Sequence, residues 1–87
     1  MLEILYKPTF VRQYKKLPED LKEEVKEKIA LFEEEPDHAF LKTHKLKGRL
    51  SGRWSFSVNY EYRIVFTYSS KSEATLLCVG NHDVYKN

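Results

Sequence analysis

Cysteine occurs once in the 87 residues, at Cys78, so an internal disulfide is excluded. That usage suits a reducing, cytoplasmic setting. Glycine and proline occur three times each, and the chain contains no linker, repeat or low-complexity segment. No apolar run approaches the ~18–20 residues a membrane span needs, so no membrane partner is expected. The opening residues, MLEILYKP, lack the basic and apolar regions of a secretion signal. Metal spacing is missing too: there is no HExxH and no paired cysteine. His38 and His44 lie five or more residues apart around a loop, and Cys78 reads as a small hydrophobe within a strand. Neither a metal nor another cofactor is expected.

What is present is a core and a divided charge. Twelve aromatics and 41% apolar residues suffice for one compact domain, residues 1–87. The net charge of +2 is the sum of two opposed regions. Residues 17–37 carry three basic and nine acidic side chains. Residues 42–63 carry six basic (Lys42, Lys45, Lys47, Arg49, Arg53, Arg63) and only Glu61 as acid. Such polarisation points to a charged partner on one side of the molecule.

The periodicity changes once along the chain. Residues 2–6 read as a strand. Pro8 and Thr9 suit a helix start, with Phe10, Tyr14 and Leu17 on one face. Pro18 opens a second helix whose stripe is Leu21, Val25, Ile29 and Phe32, and Pro36 ends it. Glu24 and Lys28 are spaced for an i,i+4 pair. The acidic charge is mostly this helix's outer face, which on its own reads as a solvated surface.

From residue 44 the period is 2. Trp54, Phe56 and Val58 form one face. Tyr60, Tyr62, Ile64, Phe66 and Tyr68 form another, and Leu76 with Cys78 a third, with turns near Asn59–Glu61 and Ser69–Ser72. Residues 45–50 suit one further strand. The order β-α-α-β-β-β predicts an α+β fold, with two N-terminal helices on one face of a four- or five-stranded, mainly antiparallel sheet.

Four groups then stand out. Arg63 falls mid-strand between Tyr62 and Ile64 and faces away from the helices. Its guanidinium is either a phosphate contact or a surface partner of Glu61. Lys45, Lys47 and Arg49 alternate with Leu46, Gly48 and Leu50. In an extended chain that spaces three cations about 6–7 Å apart on one face. This matches successive phosphates of a nucleic acid, or it marks an edge strand guarded by lysine. His44 enters the basic segment and His82 closes the last strand, where imidazoles could move protons near neutral pH. His38 reads as a solvated loop residue. Tyr85 offers a surface on which a base could stack.

The segments L-x-G-x-W-S (Leu50 to Ser55), Y-R-I-V-F (Tyr62 to Phe66) and G-x-H-x-x-Y (Gly80 to Tyr85) occur in this order. Together they resemble the RelE/ParE toxin superfamily over nearly the whole chain, and most closely its RelE, YoeB and YafQ type of mRNA interferase. The resemblance implies the toxin of a type II toxin–antitoxin pair. It implies a small antitoxin as protein partner, the ribosome and mRNA as targets, and endoribonuclease activity in the ribosomal A site. Residue by residue it implies Arg63 at the scissile phosphate, His44 as general base, His82 as general acid and Tyr85 as the C-terminal aromatic. Lys45, Lys47 and Arg49, with Arg53, fall in or beside the segment of RNA contacts. One departure stands out: Cys78 to Asn81 include none of the arginine that several members carry before the final histidine. Its phosphate-clamping role would fall to Arg49, Arg53 or the ribosome, or the activity would be weaker. The alternative within the superfamily is a ParE-like inhibitor of DNA gyrase without nuclease chemistry.

Overall fold

A computed structural model describes residues 1–81. Strand β1 (Glu3–Tyr6) leads into helices α1 (Pro8–Lys15) and α2 (Glu19–Glu34). Strands β2 (His44–Lys45), β3 (Trp54–Ser57), β4 (Arg63–Ser70) and β5 (Glu73–Gly80) follow, with short 3₁₀ turns at Ala39–Leu41 and Gly48–Leu50. The five strands form one sheet in the order β1-β5-β4-β3-β2. Every pairing is antiparallel except β1 with β5. This is the α+β arrangement expected. Among the described residues no helix is long and apolar enough to cross a membrane.

The two helices start where proline permits. Pro8 occupies the first turn of α1, where a missing N–H costs nothing. Pro18 caps α2, and Glu19 and Asp20 occupy its first turn, near the positive end of the helix dipole. The α2 stripe Leu21, Val25, Ile29 and Phe32 is buried. Phe32 is its centre: the ring stacks on Phe56 at 4.5 Å and meets Phe66 edge-on at 4.7 Å. Burying such a side chain stabilises the fold by about 1.5–3 kcal/mol. Helix α1 does a different job. Beyond the end of β1, the edge of β5 would expose its N–H groups, and the Gln13 side-chain carbonyl accepts that of Val79 at 2.9 Å.

Several local expectations are corrected. Phe66 pairs with Leu76 but Val65 pairs with Cys78, so β5 carries one extra residue, Leu77. This bulge reverses the alternation beyond it. Val79 therefore joins Leu76 in the core, and Cys78 shares a face with Val65. Tyr60 and Tyr62 precede β4, and Tyr60 is 91% exposed at the tip of the turn. Arg63 is consequently the first residue of its strand. Residues 45–50 do not continue as a strand: β2 ends at Lys45, and the chain coils at Gly48, whose φ of 68° favours glycine. Glu24, expected to pair with Lys28, accepts a hydrogen bond from Asn59 Nδ2 at 3.1 Å.

Candidate nucleic-acid interface

The register decides which residues share the sheet face turned away from the helices. His44 pairs with Ser55, Ser55 with Val65, and Val65 with Cys78. Two residues further along, Ser57 pairs with Arg63, and Arg63 with Gly80. A shift of two residues keeps the face. His44 and Arg63 therefore project from the same side, with Ser55 and Ser57 between them. Two strand spacings and a two-residue rise put their Cα atoms about 12 Å apart. Ser55 and Ser57 are themselves buried, whereas His44 at the sheet edge is exposed and Arg63 is half-buried. The acidic surface of α2 lies on the opposite side of the sheet.

The exposed His44 ring has a defined tautomer. Its Nδ1 lies 3.0 Å from the carbonyl oxygen of Lys42. A carbonyl only accepts, so Nδ1 carries the proton, and the neutral ring keeps Nε2 as a free base. The loop entering β2 makes this contact possible, because Lys42 adopts the left-handed region (φ 51°), which turns its carbonyl back toward the His44 ring.

Arg63 is held rather than free. Its Nη1 donates to the carbonyls of Asn59 (2.6 Å), Tyr62 (3.1 Å) and Tyr60 (3.2 Å). Among the described residues Nη2 and Nε meet no acceptor, so the other edge of the fork can receive an anion. Asn59 organises this turn. Its Oδ1 accepts the N–H groups of Tyr62 (2.8 Å) and Glu61 (2.9 Å), and its Nδ2 ties the turn to Glu24 on α2. Glu61 was the alternative partner for Arg63, but the guanidinium is bound by backbone carbonyls instead.

The basic segment is rearranged relative to expectation. Lys45 pairs with Trp54, which faces the helix side, and its Nζ lies 5.4 Å from the centre of the Trp54 ring. That is a cation–π contact, and it removes Lys45 from the His44 face. Lys47 and Arg49 are exposed around the Gly48–Leu50 turn, so the regular ladder of three cations is lost. Arg53 sits on the His44 face at the entry to β3, and its charge reaches Cys78. Burial pushes the Cys78 thiol above its ordinary value, with Arg53 and a backbone hydrogen bond at Val65 opposing that rise. His38 belongs to the loop: Nδ1 accepts the Phe40 N–H at 3.0 Å and Nε2 faces Glu35 at 3.8 Å. His82 and Tyr85 lie outside the described residues.

Some residues around Arg63 were not singled out from sequence. A cleft of 490 Å³ is lined by Arg63, Lys28, Lys42, Phe40 and Tyr60 together with Asn59 and its neighbours. Lys42 was legible only as part of the basic window. Tyr60 was hidden by its fit to the strand alternation, and Phe40 lies in a stretch with no period at all.

No protein-family model matches the sequence, and no curated protein matches it with significance. Solved structures do match. YafQ from E. coli strain BL21(DE3) superposes with a TM-score of 0.80 at 16% identity, covering 100% of both chains. The RelBE2 toxin–antitoxin complex from Mycobacterium tuberculosis gives 0.78 at 20% identity, over 93% of this chain and 98% of that one. The YoeB/ParE toxin from Agrobacterium tumefaciens gives 0.77 at 20% identity, over 93% and 99%. With the sheet order, the two helices and the whole length of the chain matched, the protein has the fold shared by the YoeB, YafQ and RelE toxins.

Proposed function

We propose that the chain is the toxin of a type II toxin–antitoxin pair and acts as a ribosome-dependent endoribonuclease. One observation carries the reading: an exposed imidazole with a proton-free Nε2 and a half-buried guanidinium with an open edge project from the same sheet face. RNA brings its own nucleophile, the 2′-OH. His44 Nε2 takes the hydroxyl proton, and the 2′-oxygen attacks the adjacent phosphorus. Arg63 stabilises the charge that builds on the non-bridging oxygens, aided by Arg53, Lys47 or Arg49 nearby. His82, protonated, gives its proton to the departing 5′-oxygen. The products are a 2′,3′-cyclic phosphate and a 5′-hydroxyl, so atoms and charge balance. Tyr85 supplies a stacking surface near the cut.

General acid–base catalysis contributes about 10²–10⁴ per group, so positioning carries much of the remaining acceleration. A chain of 87 residues offers little surface for that, which fits an enzyme to which the ribosome presents the RNA. The partner that silences it would be a small antitoxin, as the RelBE2 complex is of toxin and antitoxin. The cytoplasm is where such a target resides.

Primer extension on mRNA from cells expressing the chain tests this. Codon-phased cuts are expected with wild type and are expected to vanish with His44→Ala or Arg63→Ala. Intact mRNA alongside linearised DNA would instead identify a gyrase inhibitor. Full cleavage by His44→Ala would remove the assigned base. The rate should follow a bell-shaped pH profile, because one histidine acts neutral and the other charged.

A further inference from the structure

The cleft shares Arg63 with the His44–Arg63 pair but otherwise has a composition of its own. Phe40 and Tyr60, which line it, are 72% and 91% exposed. One exposed ring alone is ordinary, but these two border the same cleft. Both are mounted on ordered turns. The Tyr60 turn is fixed by the three side-chain hydrogen bonds of Asn59. The Phe40 turn is fixed by its N–H on His38 Nδ1, and the Phe40 ring meets the His38 ring edge-on at 4.8 Å. Three cations, Lys28, Lys42 and Arg63, line the same cleft, and among the described residues no carboxylate does. Lys28 comes from α2, a helix of net negative charge.

Flat apolar surfaces interleaved with cations, with no competing anion, are what an unpaired nucleotide needs: a base stacks and its phosphate is neutralised. We propose that this cleft is a subsite for one unstacked nucleotide of the RNA adjoining the scissile phosphate. The base rests on Tyr60 and Phe40. The phosphate lies against Lys28 and Lys42, and Arg63 links the subsite to the site of cleavage. The inference rests on the RNA-cleaving reading above and extends it to substrate positioning. Tyr60 and Phe40 are positioning groups here, and their contribution is to binding rather than to proton transfer.

The test is steady-state cleavage of a defined mRNA on programmed ribosomes by the full chain. Tyr60→Ala and Phe40→Ala are expected to raise KM about tenfold each with kcat unchanged, since stacking one base on an aromatic ring is worth at least that factor. Tyr60→Phe keeps the ring and should restore the wild-type KM. Lys28→Gln should flatten the dependence of log KM on log salt by about 0.7, the release expected for one single-strand phosphate. Phe40 and Tyr60 are exposed and Lys28 is half-buried, and equal melting temperatures would show that the four variants fold. If wild type cuts and both alanine variants keep its KM, the subsite is wrong while the nuclease reading stands. Unchanged KM with weakened binding of an acidic antitoxin peptide would assign the cleft to a protein partner and overturn the proposal. If wild type cuts no RNA at all, both readings fall together.

Discussion

Asn59 is the residue whose loss should couple stability to the geometry of Arg63. Its side chain accepts two backbone N–H groups and donates to Glu24, and its own carbonyl accepts Arg63 Nη1 at 2.6 Å. Replacing it with alanine removes the three side-chain bonds. The two to backbone are worth about 1 kcal/mol each. The bond to Glu24 is half-exposed, so its charge assistance is screened to about 0.5–1 kcal/mol. The expected loss is therefore about 2–3 kcal/mol, which for a domain of this size lowers Tm by roughly 10–20 °C. Asn59→Asp separates the parts. It keeps the acceptor for the turn but sets a carboxylate against Glu24, so its destabilisation should shrink on acidification, when protonating either group relieves the repulsion. Adding Glu24→Gln restores a donor facing the new carboxylate and should recover about 1 kcal/mol, read as a coupling energy in a double-mutant cycle. Urea unfolding of wild type, Asn59→Ala, Asn59→Asp, Glu24→Gln and the double variant supplies every number. An Asn59→Ala protein that unfolds with wild type, or an Asn59→Asp that Glu24→Gln fails to rescue, would refute the account of this turn.

Phe32→Ala should cost about 3–5 kcal/mol, because the ring is fully buried between Phe56 and Phe66 and the cavity cannot collapse around two aromatic planes; denaturant midpoints measure it. Lys45→Ala should cost only about 0.5–1 kcal/mol, the value of an exposed cation–π contact, and should alter Trp54 fluorescence while leaving His44 chemistry intact. Burial raises the Cys78 thiol and the Tyr6 and Tyr68 hydroxyls above their ordinary values, with Glu33 and Asp37 adding to the two tyrosines respectively. The folded state thus holds these protons more tightly than the unfolded chain. Their contribution is complete at neutral pH and is lost as pH rises above about 9–10. Thermal melts at stepped alkaline pH should show this decline, and Cys78→Ala should reduce it.

The fold was legible because its signals are strong and local. Leu21, Val25, Ile29 and Phe32 repeat at helical spacing, and Trp54 to Ser57 alternate at strand spacing, so each element identifies its own buried face. The misreadings have definite causes. A bulge at Leu77 changes the face of Cys78 and Val79, and period-2 reasoning assumes that no residue is extra. Lys45, Lys47 and Arg49 alternate perfectly in sequence, yet Gly48 at positive φ coils the chain between them. Tyr60 fits the same alternation as Tyr62 but occupies a turn, because Asn59 captures two N–H groups that a strand would have offered its neighbour. The candidate site residues stood out one by one. Their shared face was not, since that depends on the register of three strands far apart in sequence.

The charge division now acquires a spatial cause. A single sheet separates an acidic helix from a basic face, so the two charged surfaces can act on different partners without cancelling each other at close range. Over the Debye length of about 8–10 Å in physiological salt, an approaching polyanion senses the nearer face rather than the net +2. Two details reinforce that separation. Glu24, the acid of α2 nearest the Arg63 turn, is engaged by the neutral amide of Asn59, leaving Arg63 to the uncharged carbonyls of the turn. Lys28 is drawn to the rim of the basic cleft. If Glu24 instead reached Arg63, the guanidinium would be neutralised before any phosphate arrived. Asn59 stands between them, and the hydrogen bonds that order the turn also keep the arginine available to an anion.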